Sequence, residues 1–249
     1  MKKILSLLLV FVMVFALTAC GGDEPAAVDP NAKSEGVMTY AEYAAAELDS
    51  EVVIEAFVQA KQSWWEDKAT VYAQDGEGGY FMYDMACSEA DYALLTEGTK
   101  IKVTGYKGEW AGEVEIMDGT FEIVEGDTWV AEATDVTELL GTDALADHMN
   151  KFVAFKGMTV EPSVDADGNE VAFLYNWDGS GSEGNDLYFN VSLNGETYNF
   201  CVESYLTGAE TDVYNAVEAL NIGDVIDMEG FLYWYEGVNP HITSVNAAA

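Results

Sequence analysis

The chain has 249 residues, with 45 acidic side chains against 10 lysines and no arginine, for a formal net charge of -35. Such a balance supplies few cations to neutralise a phosphate backbone and no arginine for the bidentate contact with guanine, so it disfavours nucleic acid as a partner. With 49% hydrophobic and 12% aromatic residues there is still apolar material for one large or two small cores.

In chain order, Lys2 and Lys3 precede an apolar run from Ile4 to Leu17 that only Ser6 interrupts, too short for a comfortable membrane span and typical of an export signal. The run ends in Leu17-Thr18-Ala19-Cys20-Gly21, which resembles the lipobox of bacterial lipoproteins. The resemblance implies a signal peptide over 1–19, removed so that Cys20 becomes the first residue and carries a diacylglycerol. It places the protein on the extracytoplasmic face of the cell membrane, held by acyl chains of the palmitate class, each buried methylene contributing about 0.8 kcal/mol. An ordinary cleaved signal that happens to contain a cysteine is the alternative. Residues 20–36 are rich in Gly, Pro, Ala and acids without apolar periodicity, and are expected to form a flexible tether.

Beyond the tether the chain repeats itself. Gly98 to Tyr106 matches Gly223 to Phe231 in spacing and apolar alternation, Trp110 and Gly112 correspond to Trp234 and Gly237, and Gly79 to Tyr83 with Cys87 is similar to Thr197 to Cys201. Each half is therefore expected to carry one series of elements. First strands are predicted over Val52–Ala60 and Phe152–Val160, second strands over Lys68–Gln74 and Asp186–Leu193, with hairpin turns at Asp75-Gly76 and Asn194-Gly195 leading into third strands. Helical spacing follows over Ser88–Leu95 and Glu210–Leu220, then two closing strands: Lys100–Tyr106 with Glu113–Met117, and Val225–Tyr233 with Pro240–Val245. Further packing helices are predicted over Thr39–Leu48 and Val136–Met149.

Three strands, a helix and two strands is the order of the OB-fold, a five-stranded Greek-key barrel. The chain thus resembles an all-β protein with short helices, built as tandem OB-like domains over 37–126 and 127–249, closely joined through Trp129–Asp135. A single β-sandwich is the alternative.

Chemistry-bearing groups are sparse. His148 and His241 are read as surface or edge residues, no nucleophile is paired with a base, and no catalytic role is assigned. Cys87 and Cys201, one in each half, read as small buried hydrophobes rather than a disulfide, though pairing stays open. Asp165, Asp167 and Asn169 alternate oxygen donors as a calcium loop does, and Asp178 to Glu183 is similar. Both lack the sixth-position glycine and the closing glutamate, so turn formation is the competing reading and no cofactor is required.

Aromatics are the most suggestive signal. Trp64 and Trp65 follow the first strand, Trp110 lies in the last hairpin of the first half, and Tyr233 and Trp234 lie in the corresponding hairpin of the second. Adjacent Trp64 and Trp65 point opposite ways in extended chain, so one core cannot bury both. These residues are the expected ligand contacts of a non-enzymatic binding module for an extracellular glycan, peptide or protein. The alternative is an envelope structural or assembly lipoprotein that docks another protein, and the nucleic-acid binding known for OB-folds ranks below both.

Overall fold

The computed structural model describes residues 28–248. The signal segment and Cys20 lie outside the described residues. The later part of the expected tether packs on the first barrel instead of hanging free: the Lys33 ammonium pairs with the buried Asp75 carboxylate at 2.6 Å, and the Ser34 amide donates to Glu55 at 3.2 Å.

Helix α1 (Tyr40–Ala45) opens on a capping box in which Thr39 and Glu42 satisfy each other's backbone amides. The first barrel follows: β1 (Glu51–Lys61), β2 (Lys68–Gln74), β3 (Gly79–Ala86), the single turn α2 (Glu89–Tyr92), β4 (Lys100–Trp110) and β5 (Glu113–Ile123). They close in the order β1-β2-β3-β5-β4, with β4 returning to β1 and the β3–β5 contact parallel at Met82 and Ile116. Short strand β6 (Thr134–Asp135) leads into the second unit.

There, β7 (Phe152–Glu161) is followed by a long connection holding β8 (Ser163–Val164), β9 (Glu170–Val171) and β10 (Leu174–Tyr175). Then come β11 (Leu187–Leu193), β12 (Glu196–Val202), α3 (Asp212–Glu218), β13 (Val225–Phe231) and β14 (His241–Ala247). β7 pairs with both β11 and β13, and β12 meets β14 in parallel at Cys201 and His241, so this unit closes in the same order as the first. Both units are five-stranded OB-like barrels, and the single sandwich does not form.

The repeated glycines explain the closure. Strand register slips at Gly105 in β4 and at Gly230 in β13. A Cβ at Gly105 would lie 2.6 Å from Ile116, and one at Gly230 would lie 2.3 Å from the His241 carbonyl. Only a residue without a side chain lets the strand bend this closely over its neighbour.

Three local expectations change. The Val136–Met149 helix is a pair of 3-10 turns, Thr137–Leu139 and Asp143–His148. The Asp75-Gly76 turn needs no positive φ: the Asp75 carboxylate holds it by accepting the amides of Glu77 and Gly78 at 2.8 and 2.7 Å, whereas Asn194 and Gly195 do adopt φ 54° and 89°. His241 is buried at the seam, not at an edge, with its Nδ1 3.0 Å from the Tyr72 hydroxyl.

Each barrel has its own core, and a third apolar cluster of Tyr72, Phe81 and Phe231 joins them. Tyr72 and Phe231 stack at 4.3 Å with planes 12° apart. Gly79 permits this approach, since a Cβ there would fall 2.2 Å from the Asn150 backbone.

Candidate functional site

In an OB barrel the loop after strand one, the loop between strands four and five, and the face of strands two and three form the usual ligand surface. Here both barrels turn that surface into one shared cleft of about 1130 Å³. The first barrel contributes Trp65, Trp110 and the β2–β3 residues Lys68, Thr70, Tyr83 and Asp84. From the second come Trp177 in the long connection, Tyr188 of β11, Asn199 of β12, and Tyr233 and Tyr235 between its closing strands.

Tight turns hold the rings at the rim. Trp65 and Lys68 exchange backbone hydrogen bonds across Glu66 and Asp67, at φ 45° and 61°, the two-residue hairpin conformation that matches strand twist. Trp110 pairs with Glu113 across Ala111 and Gly112, at φ 52° and 93°. The two last hairpins touch directly: the Glu236 amide donates to the Ala111 carbonyl at 2.7 Å, and Trp110 packs on Tyr235 at 5.2 Å.

Among the described residues, seven aromatic side chains are largely exposed, and six of them (Trp65, Tyr83, Trp110, Trp177, Tyr205 and Tyr235) line this cleft. Trp177 is 76% exposed and Trp65 69%. Leaving large rings in water forfeits burial worth about 1.5–3 kcal/mol apiece, so their concentration in one concavity marks a surface kept for contact.

The cleft floor is polar and acidic. Glu203 is buried, accepts from the Tyr205 amide at 3.2 Å and from Gln62 of the other barrel at 3.0 Å, and is pushed up to about 7 by burial and then by Asp186. Asp186 accepts both the amide and the hydroxyl of Ser204, at 2.8 and 2.6 Å. His241, stacked on Tyr233 at 4.3 Å, is pushed down to about 3 by burial and stays neutral. Lys68 and Asp84 form a partly exposed ion pair at 2.8 Å.

Of the residues expected to contact ligand, the cleft brings together Trp65, Trp110 and Tyr233. Trp64 is half-buried with its indole N–H donating to the Cys87 carbonyl at 2.9 Å, so the adjacent pair does point two ways. Trp234 is half-buried against the second core while its amide donates to Glu113 at 2.9 Å. The sequence signals no ligand role for Tyr83, Trp177, Tyr188 or Tyr205, which also line the cleft; Trp177 sits in the same connection as the Asp, Gly and Ser residues read as turn or calcium chemistry.

At that loop, Asp165 spends one carboxylate oxygen on the amides of Asp167 and Asn169, at 3.0 and 2.8 Å, and the other on the Asn169 side chain at 3.1 Å, an Asx turn. No group of three or more His, Cys, Asp or Glu side chains placed to hold a metal ion occurs among the described residues. Cys87 and Cys201 are both free and buried.

No family model and no curated protein matches the chain. Among solved structures, it is similar to a murine DNA-binding protein bound with double-stranded DNA, at 12% identity and a TM-score of 0.37, covering 79% of this chain and 96% of that one. A second is the Ifi202 HINa domain in complex with double-stranded DNA, at 9% identity and a TM-score of 0.36, covering 80% and 100%. A third is a deletion mutant of the single-stranded DNA binding protein from Thermus aquaticus, at 12% identity and a TM-score of 0.25, covering 80% and 94%. The expectation of an extracellular glycan, peptide or protein ligand, with nucleic acid disfavoured, does not hold against these neighbours, which are DNA-binding proteins. Net charge describes the average surface, whereas ligands are chosen in a local cleft, so the acidity of the chain gives no ground for that ranking. The likeness itself is one of fold and assigns no ligand to this chain.

Proposed function

We propose that this chain is a non-catalytic binding protein whose ligand lies in the cleft between the barrels and is gripped chiefly by stacking on aromatic rings. The observation that carries this reading is the gathering of six exposed rings in one concavity made of the ligand-facing loops of both barrels. Stacking on an aromatic side chain is worth about 1–3 kcal/mol per flat unit and tolerates many chemistries. The test titrates the full chain with three flat probes of different charge: quinoline, 1-methylquinolinium and the oligonucleotide (dT)8. Saturable quenching of tryptophan fluorescence by at least one probe, weakened about tenfold or more in the Trp65→Ala, Trp110→Ala double variant, supports the cleft. Absence of a saturable response to all three overturns it.

We propose separately that residues 1–19 are removed on export and that Cys20 carries the lipid anchor, a reading supported by the order of charged, apolar and small residues before that cysteine. Incorporation of labelled palmitate, lost together with membrane association in Cys20→Ala, is the expected result. A Cys20→Ala protein that remains labelled would overturn it.

A further inference from the structure

Resting on the stacking cleft just proposed, the ligand class can be narrowed by charge. Four carboxyl groups, Asp84, Asp186, Glu203 and Glu236, line the cleft against one ammonium, Lys68, and that ammonium is already paired with Asp84. No free cation among the lining residues is left to receive an anion. The rings themselves present negative faces, which attract a cation held within about 6 Å.

Rings and carboxylates together select among cations. A metal ion would need converging oxygen donors, and Asp186 has turned one of its oxygens to the backbone and hydroxyl of Ser204. A primary ammonium keeps a tight hydration shell that ring faces cannot replace. A quaternary or N-methylated nitrogen is weakly hydrated and apolar at its surface, so it gives up little water on entering and gains both dispersion and cation–π attraction. The cleft, about 1130 Å³, lies just above the usual range of small-molecule sites and exceeds what one methylated headgroup fills. We infer that the cleft binds an organic cation in which a quaternary or N-methylated nitrogen is carried on a larger flat or elongated body, the nitrogen resting between the aromatic rim and the Glu203 and Glu236 side.

The comparison of 1-methylquinolinium with quinoline tests this, because the two share a ring system and differ in one methyl group and one charge. Binding measured by calorimetry at about pH 8.5, above the value of about 7 to which burial pushes Glu203, is expected to be about tenfold tighter for the cation. In the Glu203→Gln, Glu236→Gln double variant the preference of the cation over quinoline is expected to shrink to about threefold or less. Glu203→Gln keeps an oxygen for the Tyr205 amide, and a cooperative melting transition at a Tm no lower than that of the natural chain confirms that the variant is folded. If quinoline or (dT)8 binds this cleft as tightly as the cation, the charge assignment falls while the stacking cleft stands. If the cation binds preferentially but the preference survives the double variant, the carboxylates are not its source and the assignment falls as well.

Discussion

Glu113 is fully buried at the junction of the barrels, where one carboxylate oxygen accepts the Trp234 amide and the side chain lies beside Asn150. Burial pushes its carboxyl from an ordinary value of 4.5 up to about 8. The unfolded chain releases this proton in the ordinary range and the folded chain keeps it, so between those values the unfolded state binds fewer protons and stability falls as pH rises. The contribution is full below the lower value and is lost through the upper one; Glu203, pushed up to about 7, acts in the same direction. Glu113→Gln, neutral at every pH and still able to accept the Trp234 amide, is expected to flatten the decline in Tm between pH 5 and 8. At pH 8 it should raise Tm by a few degrees. A Tm profile parallel to that of the natural chain would show that Glu113 is ionised when folded.

Lys107 is buried in β4 without a carboxylate, and burial lowers its pKa. Its ammonium donates to the carbonyls of Tyr43, Ala44 and Ala46 at 3.1, 2.8 and 2.9 Å, at the end of α1 where helix carbonyls run out of amide partners. A helix of six residues cannot stand by itself, so this cap and the Thr39 box attach it to the barrel. Lys107→Met is expected to cost about 2–3 kcal/mol in urea unfolding, with α1 amides exchanging first. A loss below about 0.5 kcal/mol would mean that water replaces the ammonium without penalty. Turns were legible at this level only in part. Asn194-Gly195 declared itself by residue type, but Glu66 and Asp67 adopt the same left-handed hairpin without glycine, because the barrel strands on either side force it.

The two barrels are joined by a seam of stacked rings and by buried polar contacts, among them Phe152 N–H to Gln74 at 2.8 Å and Asn150 to the Val114 carbonyl at 2.9 Å. Such a seam should make the pair unfold as one unit, so a single calorimetric transition is expected. Phe231→Ala, which removes the ring stacked on Tyr72 and packed against Phe152, is expected to cost about 3–5 kcal/mol and to separate the transition into two. One transition at a lower Tm would place the coupling in the polar contacts instead.

The internal repeat already carried the tandem five-stranded architecture. Strand alternation, the paired glycines at Gly105 and Gly230, and the helix between strands three and four are local or periodic features, and barrel closure follows from them. The cleft was not accessible in that way. Trp65, Trp110 and Tyr233 could be suspected from their loops, but Trp177 and Tyr205 become partners only because the second barrel packs with its ligand-facing loops against those of the first. His241 changes from a surface or edge residue into a buried group for the same reason. Burial, proximity and local electric field are properties of the packed pair of barrels, and no periodicity within either half encodes them.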